Sequence, residues 1–274
     1  MNLLLAPVAA ETIAYAGPFA VTNAMVNAWI AVAFFLVVAL AARKRAALIP
    51  RGFQNALEGV VEFLLMEVEK VTGDQKKARQ FLPIVATIFL FILFSNWIGL
   101  LPGTGSIGVW GELHGEMELI PLLRPAASDL NLTLAIAVFA VAASHVMALL
   151  TIGPVHHLSK FVNLRGIIQA LRKGPVAVMV ALIEFGVGLI EIVGEIAKVV
   201  SLSLRLFGNI FAGEVLITVM LGLLAFVVPI PFMFLELLVG AVQATVFAML
   251  TLAYLVVATQ EHGEEAEEAV AHAT

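Results

Sequence analysis

Long apolar stretches dominate the chain, and its polar residues are gathered between them. A helix must supply about 20 mostly apolar residues to cross the hydrocarbon layer of a membrane. Val21–Ala42 does so and ends at Arg43-Lys44-Arg45; Phe81–Leu101 ends at Pro102-Gly103; Leu130–Ile152 ends at Gly153-Pro154. From Pro175 to Leu224 the chain stays apolar apart from a few charges, and Phe232–Thr259 is the last long run. The pattern predicts an all-α integral membrane protein with about five to six membrane helices. The last two long runs are read as a hairpin joined near Pro229 and Pro231.

Between these runs lie segments of other character. Residues 1–20 form an N-terminal segment, 43–80 a basic and amphipathic segment, 102–129 and 153–174 two loops, and 260–274 an acidic tail of disordered composition. Within the second of these, Phe53, Leu57, Val60, Val61, Leu64, Leu65 and Val68 recur at helical spacing, with Glu58, Glu62, Glu67 and Glu69 at other positions. That spacing predicts an amphipathic helix over Phe53–Val71. It lies either in the cytoplasmic interface or docked under the bundle.

Basic residues near the ends of membrane spans mark the cytoplasmic side. Arg43, Lys44, Arg45 and Arg51 follow the first run, Lys76, Lys77 and Arg79 precede the second, and Lys160, Arg165, Arg172 and Lys173 separate the third from the fourth. The loop Pro102–Ser128 holds one arginine in 27 residues. The N-terminus is therefore expected outside. Counting crossings then puts the C-terminus in the cytoplasm.

Composition agrees with membrane residence. Of 274 residues, 61% are hydrophobic and 13% charged, against about 25% charged in soluble domains. A soluble fold of this size has too small an interior for so much apolar surface. The absence of cysteine excludes disulfides, thiolate metal sites and cysteine nucleophiles. The apolar run at Leu3–Ala10 is short and lacks a basic flank, so a cleavable signal is not expected.

The charges that interrupt the fourth run change the picture most. They are Glu184, Glu191, Glu195, Lys198 and Arg205, at successive spacings of 7, 4, 3 and 7. At about 100° per residue all five fall within an arc of roughly 80°, and Ser201 and Asn209 extend the same face. The surrounding glycines at 186, 188, 194 and 208 are candidate bends. A charge at the centre of a bilayer costs about 2.5–3.5 kcal/mol even on the lenient insertion scale, and such residues normally mark an ion or proton pathway. Glu184 to Lys198 can also be read as an interfacial structural stripe. Arg205 is deeper, and its neighbours on the same face, Ser201 and Asn209, carry no charge to neutralise it.

Glu214, nine residues beyond Arg205, points to the opposite side of the helix. The fifth run adds Glu236 and Gln243, seven apart on one face. In a hairpin, Glu214 and Glu236 come near one another. Two carboxylates sharing a buried site cannot both ionise cheaply, so one is expected to hold a proton and to pass it on. The third run holds Asp129 and Asn131 at its outer end, with Ser144 and His145 deeper; His145 is read as a proton-path candidate or as a hydrogen bond to a neighbouring helix. His156-His157, in the following loop, are expected to be solvated. Gly103-Thr-Gly105-Ser-Ile-Gly108 matches a dinucleotide glycine pattern but follows a membrane helix rather than a strand, and reads as a loop. With no Gly-Lys-Ser/Thr phosphate loop and no zinc spacing, neither a nucleotide site, a metal nor another cofactor is expected.

Ser201-Leu-Ser-Leu-Arg205-Leu-Phe-Gly-Asn209-Ile-Phe-Ala-Gly-Glu214 closely resembles the signature of subunit a of F-type ATP synthases. Gln243-Ala-Thr-Val-Phe-Ala-Met-Leu-Thr-Leu-Ala-Tyr254 is similar to that family's final helix. Asn96-Trp-Ile-Gly-Leu-Leu-Pro102 and Asp129-Leu-Asn131-Leu-Thr133 resemble the end of its second membrane helix and the start of its third. The similarity covers most of the chain beyond residue 80.

The resemblance implies a membrane bundle whose last two helices form a strongly tilted hairpin facing a ring of c subunits. It implies a proton-translocating stator with two offset half-channels, which works with the c-ring, b-type peripheral stalk subunits, other subunits of the complex and lipids, and without nucleic acid. The expected location is the bacterial inner membrane. The essential charge falls on Arg205, the outer path on Asn209, Glu214, Glu236 and Gln243, and cytoplasmic access on Glu191. Glu195 and Ser201 are further path candidates, followed by Asp129, Asn131, Asn96 and His145. This sequence departs from some bacterial members in having Gly99 in place of an aspartate, and glutamate at both 214 and 236.

Three readings compete with this one. An ion-coupled secondary transporter calls for internal repeats with paired interrupted helices, and no such pair is evident. A purely structural membrane subunit predicts that Arg205 is dispensable. An intramembrane enzyme calls for paired aspartates, a Ser/His set or a metal motif, and none is found.

Overall fold

The computed structural model describes residues 9–44, 51–101, 103–104, 107–113, 116–154, 157, 161, 175–223 and 228–259. The expectations for His156, for Arg45, Lys160, Arg165, Arg172 and Lys173, and for the acidic tail lie outside these residues. Six helices of at least 20 residues carry the described fold: α1 Asn23–Lys44, α2 Phe53–Thr72, α3 Gln75–Gly99, α4 Leu130–Thr151, α5 Pro175–Leu223 and α6 Pro229–Thr259. All but α2 are long and apolar enough to cross a membrane, and the protein is an all-α integral membrane protein. Helix α5 is continuous for 49 residues, through Gly186, Gly188, Gly194 and Gly208. At 1.5 Å per residue it is about 74 Å long, more than twice the ~30 Å hydrocarbon layer.

Two short hairpins stand where the sequence suggested plain segments. Strand β1 (Thr12–Ala16) pairs antiparallel with β2 (Phe19–Thr22) across Gly17-Pro18. Gly17 has φ 65°, a left-handed backbone that glycine adopts without steric penalty. Strand β3 (Gly108–Leu113) pairs with β4 (Glu116–Pro121) in continuous register. Both hairpins were hidden because each strand is too short to show a clear alternation.

The chain divides into two compact units, Met1–Ile136 with Leu202–Leu250, and Ala137–Ser201 with Thr251–Thr274. In the first, α2 and α3 are antiparallel neighbours joined by a tight connection. Gly73 ends α2 in a left-handed conformation with its N–H donating to Glu69 O, and Asp74 caps α3 by accepting from the Lys76 N–H at 2.8 Å. Leu64 and Val68 of α2 and Phe81, Val85, Ile88 and Ile92 of α3 are buried. Phe53, Val60 and Val61 remain exposed. Helix α2 therefore docks on α3 through one row of its apolar face and leaves the rest to its surroundings. Helix α1 joins α3 through Phe34, stacked on Phe94 with centroids 4.2 Å apart.

In the second unit, Ala137, Ala140, Ser144 and Ala148 form a buried row of small residues on α4. Small side chains let helix backbones approach closely in a membrane. The α5 segment of this unit exposes Val176, Met179, Ile183, Val187, Ile190 and Val193. That is a surface suited to lipid or to another apolar chain.

Asn27 is the polar pin of the first unit. Fully buried, it donates from Nδ2 to the carbonyls of Ser95 at 3.0 Å and Arg124 at 2.6 Å. Asn27→Ala leaves both carbonyls without this donor. It is expected to lower stability by about 1–3 kcal/mol, read as a lower unfolding midpoint of the detergent-solubilised protein.

Candidate functional site

A close backbone contact begins the site in the first unit. A Cβ at Gly99, in the last turn of α3, would overlap the backbone of Pro125. Only glycine permits this approach, which brings the preceding residue, Arg124, against the end of the helix. An aspartate at position 99, as some bacterial members of the resembled family carry, cannot occupy this packing without moving Pro125.

Arg124 is the residue that the sequence did not single out. It is 3% exposed. Its Nε donates to the Glu214 carboxylate, at 2.8 Å to Oε1 and 3.0 Å to Oε2, and its Nη1 donates to Ala9 O at 3.2 Å. Read as one charge in a polar loop, it gave only a topological signal. Its isolation in a loop so poor in basic residues, directly before a proline, was the available hint.

Glu236 lies on the other side of α5's glycine. It is 6% exposed, and a Cβ at Gly213 would overlap its carboxylate. Gly213 thus makes room for Glu236 while its neighbour Glu214 meets Arg124. The Oε1 atom of Glu236 and both amide heteroatoms of Asn96 have no hydrogen-bond partner among the described residues. Glu214, Glu236, Arg124 and Asn96 all line one cavity of about 600 Å³. A cavity with unsatisfied polar walls is suited to hydration.

Farther along the same helices, Asn209 Nδ2 donates to Gln243 Oε1 at 2.8 Å. Arg205 stands apart from these contacts. Its side chain is exposed and makes no hydrogen bond or ion pair with any described residue. The nine-residue offset accounts for the separation: Glu214 turns to Arg124, and Arg205 turns the opposite way. Asp129 and Asn131 do not join the cavity. Asp129 Oδ1 accepts from the Asn131 N–H at 3.0 Å and Nδ2 at 3.3 Å, tying off the start of α4.

In the second unit, Glu195 is held from two sides. Lys198 Nζ donates to its Oε1 at 2.7 Å, and His145 Nε2 lies 3.4 Å from its Oε2. Lys198 also sits over the Tyr254 ring, 5.1 Å from its centroid. Glu191 lines the same small cavity, while Ser201 and Glu184 are exposed. His157 corrects an expectation. It is not solvated but 5% exposed, with Nε2 3.2 Å from His145 Nδ1. The turn at Gly153 (φ 87°) folds it back, and its N–H donates to Gly153 O.

Comparison with known proteins gives a consistent picture. The family model described as ATP synthase A chain matches residues 25–256. The ATP synthase subunit a of Moorella thermoacetica is 33% identical over 239 residues, covering 87% of this chain and 91% of that protein. That of Geobacter sp. strain M21 is 33% identical over 233 residues, covering 85% and 86%. That of Mycobacterium ulcerans is 36% identical over 231 residues, covering 82% of each.

Arg124→Leu strands Glu214 in the cavity wall without its partner. A broken buried pair costs about 3–5 kcal/mol, whereas apolar replacement of both members is often close to neutral. The single variant is expected to lose most of its thermal stability margin, and Arg124→Leu/Glu214→Leu to recover much of it. Equal unfolding midpoints for the single and double variants would contradict the pairing.

Proposed function

The chain belongs to the ATP synthase subunit a family, and from that premise we propose that it is the proton-translocating stator of an F-type ATP synthase. It is a multi-pass membrane subunit of that complex and not its catalytic part. In this reading it provides two offset half-channels that load and unload carboxylates on a ring of c subunits. The c-ring meets α5 and α6, which lie strongly tilted as a hairpin; the length of α5 supports the tilt. Peripheral-stalk subunits of the b type hold the stator against rotation. The membrane is the bacterial inner membrane, with the N-terminus outside and the C-terminus in the cytoplasm.

The observation that carries this reading is Arg205: a full charge on the exposed face of an apolar helix, with no counter-ion among the described residues. A guanidinium so placed in a membrane calls for an acidic partner from another chain. At 4 Å and an effective dielectric near 20, its attraction for a carboxylate is about 4 kcal/mol. That favours the ionised form about a thousandfold. A protonated c-subunit carboxyl reaching Arg205 gives up its proton. A neutral one elsewhere on the ring can face lipid. The same charge repels any proton that would pass directly between the half-channels. The contact must also remain breakable for the ring to turn.

Protons enter on the outer side through the cavity beside Glu214 and Glu236. Arg124 holds Glu214, while Glu236 has an oxygen without a partner among the described residues, able to receive and return a proton. Asn209 and Gln243 continue the polar path along the helices, with Asn96 in the cavity wall. Glu191, Glu195 and Ser201 serve the cytoplasmic side. Asp129 and Asn131 cap α4 and support the path only indirectly. Each proton moving down 100 mV releases about 2.3 kcal/mol, so several pass for each ATP formed elsewhere in the complex.

Arg205→Ala is expected to abolish coupled transport in both directions in vesicles containing the whole complex; ATP-driven pumping by that variant would sink the proposal. Glu236→Gln is expected to slow pumping by about a hundredfold, the lower range for loss of a general acid–base group. Glu236→Asp should restore part of the rate, and an unchanged rate in Glu236→Gln removes it from the path.

A further inference from the structure

The second unit contains more proton chemistry than one access glutamate requires. Glu195 has its two oxygens in different roles: Oε1 is taken by the Lys198 ammonium and Oε2 faces His145. The imidazole of His145 is engaged at both nitrogens, with Nε2 3.4 Å from Glu195 and Nδ1 3.2 Å from His157 Nε2. The charged and titratable groups around it are Glu191, Glu195 and Lys198 on α5, Tyr254 on α6, and His157 beyond the α4 turn. They border a cavity of about 20 Å³, which is room for about one water. Phe161 packs edge-on against both imidazoles, with centroids 5.8 and 5.5 Å away.

We propose that His145 and His157 form a proton relay that carries protons between Glu195 and the aqueous phase on that side of the membrane. The relay rests on the stator reading above and extends it to a residue, His157, that lies outside the arginine signature. Imidazole suits the task because it accepts a proton at one nitrogen while releasing one from the other, and it ordinarily titrates between pH 5 and 8. Outward from the ring, protonated Glu195 gives its proton to His145 Nε2 as His145 Nδ1–H passes a proton to His157 Nε2. One O–H and one N–H bond break and two N–H bonds form. His145 is left as the other neutral tautomer, His157 leaves as imidazolium, and Glu195 becomes a carboxylate paired with Lys198. His157, nearly buried itself, then gives its Nδ1 proton to a water and is left as the Nε2–H tautomer, so rotation of both imidazole rings resets the relay. Uptake runs these steps in reverse.

A purely structural staple between α4 and the following turn would show the same distances, so the test must report proton transfer itself. Complete complexes carrying His145→Ala, His145→Gln or His157→Ala are reconstituted with the ATP-hydrolysing part outward. Pumping is followed as membrane potential with a voltage-sensitive dye, which permeant buffers do not short-circuit. Pumping by His145→Ala is expected to fall at least about tenfold, to rise several-fold on adding imidazole to the medium, and not to respond to pyrazole, a ring of the same size that stays unprotonated near neutrality. His145→Gln keeps the side-chain volume without the relay and should be as slow. His157→Ala should be slow as well. Normal pumping by any of the three, or a slow His145→Ala complex that imidazole does not accelerate, overturns the relay. If His145→Ala does not assemble, acceleration of His157→Ala by imidazole but not by pyrazole decides instead, and its absence overturns the relay. Pumping by Arg205→Ala defeats the stator reading itself, whereas a dead Arg205→Ala beside a normal His145→Ala defeats only the relay.

Discussion

Arg205 carries a full positive charge on a helix face that offers it no counter-charge among the described residues. In water this would mean little. In a chain whose helices are built for hydrocarbon it is a constraint on everything around it, because a charge there must find water or an opposite charge. The other deep polar groups on the same helices largely find partners inside the chain: Glu214 with Arg124, Asn209 with Gln243, Glu195 with Lys198 and His145. The contrast is what gives Arg205 its meaning. Among the described residues, Glu214 and Glu195 are paired within the chain, while Arg205 is left to be answered from outside.

Two glycines make that settlement possible by the side chains they lack. Gly99 lets Pro125 reach the backbone of α3, which sets Arg124 in place, and Gly213 of α5 leaves room for the Glu236 carboxylate of α6. Between them they determine that Glu214 and Glu236, two carboxylates on neighbouring walls of one cavity, occupy different environments. One is clamped by a guanidinium, and the other has an oxygen without a partner among the described residues. The proton path proposed above needs both an anchor and a group that can exchange, and this asymmetry is consistent with both. It also gives a physical reason why an aspartate is missing at position 99: the space is taken by backbone.

Apolar exposure follows the same logic at lower energy. Helix α2 buries only Leu64 and Val68 of its apolar stripe, and the first half of α5 leaves large aliphatic side chains uncovered. For a soluble protein both would be liabilities. In a membrane protein such surfaces are suited to lipid or to another apolar chain.

Much of this was determined by the sequence alone. Runs of about 20 apolar residues give membrane helices whatever packs beside them, because the backbone must satisfy its own hydrogen bonds in hydrocarbon. The 3.6-residue period put Arg205 and Glu214 on opposite faces and α2 on an amphipathic stripe, and the arginine motif gave the family. Tertiary structure decided the partners. Arg124 reaches Glu214 across 90 positions, and His157 returns to His145 through a glycine turn. Neither contact leaves a periodic trace, so one arginine looked like a loop charge and one histidine looked solvated. The two β-hairpins were illegible for a different reason, since four to six residues per strand are too few for alternation to stand out. Local pattern fixes which elements form and which way they face, while contacts between residues far apart in the chain fix which charges are left without a partner.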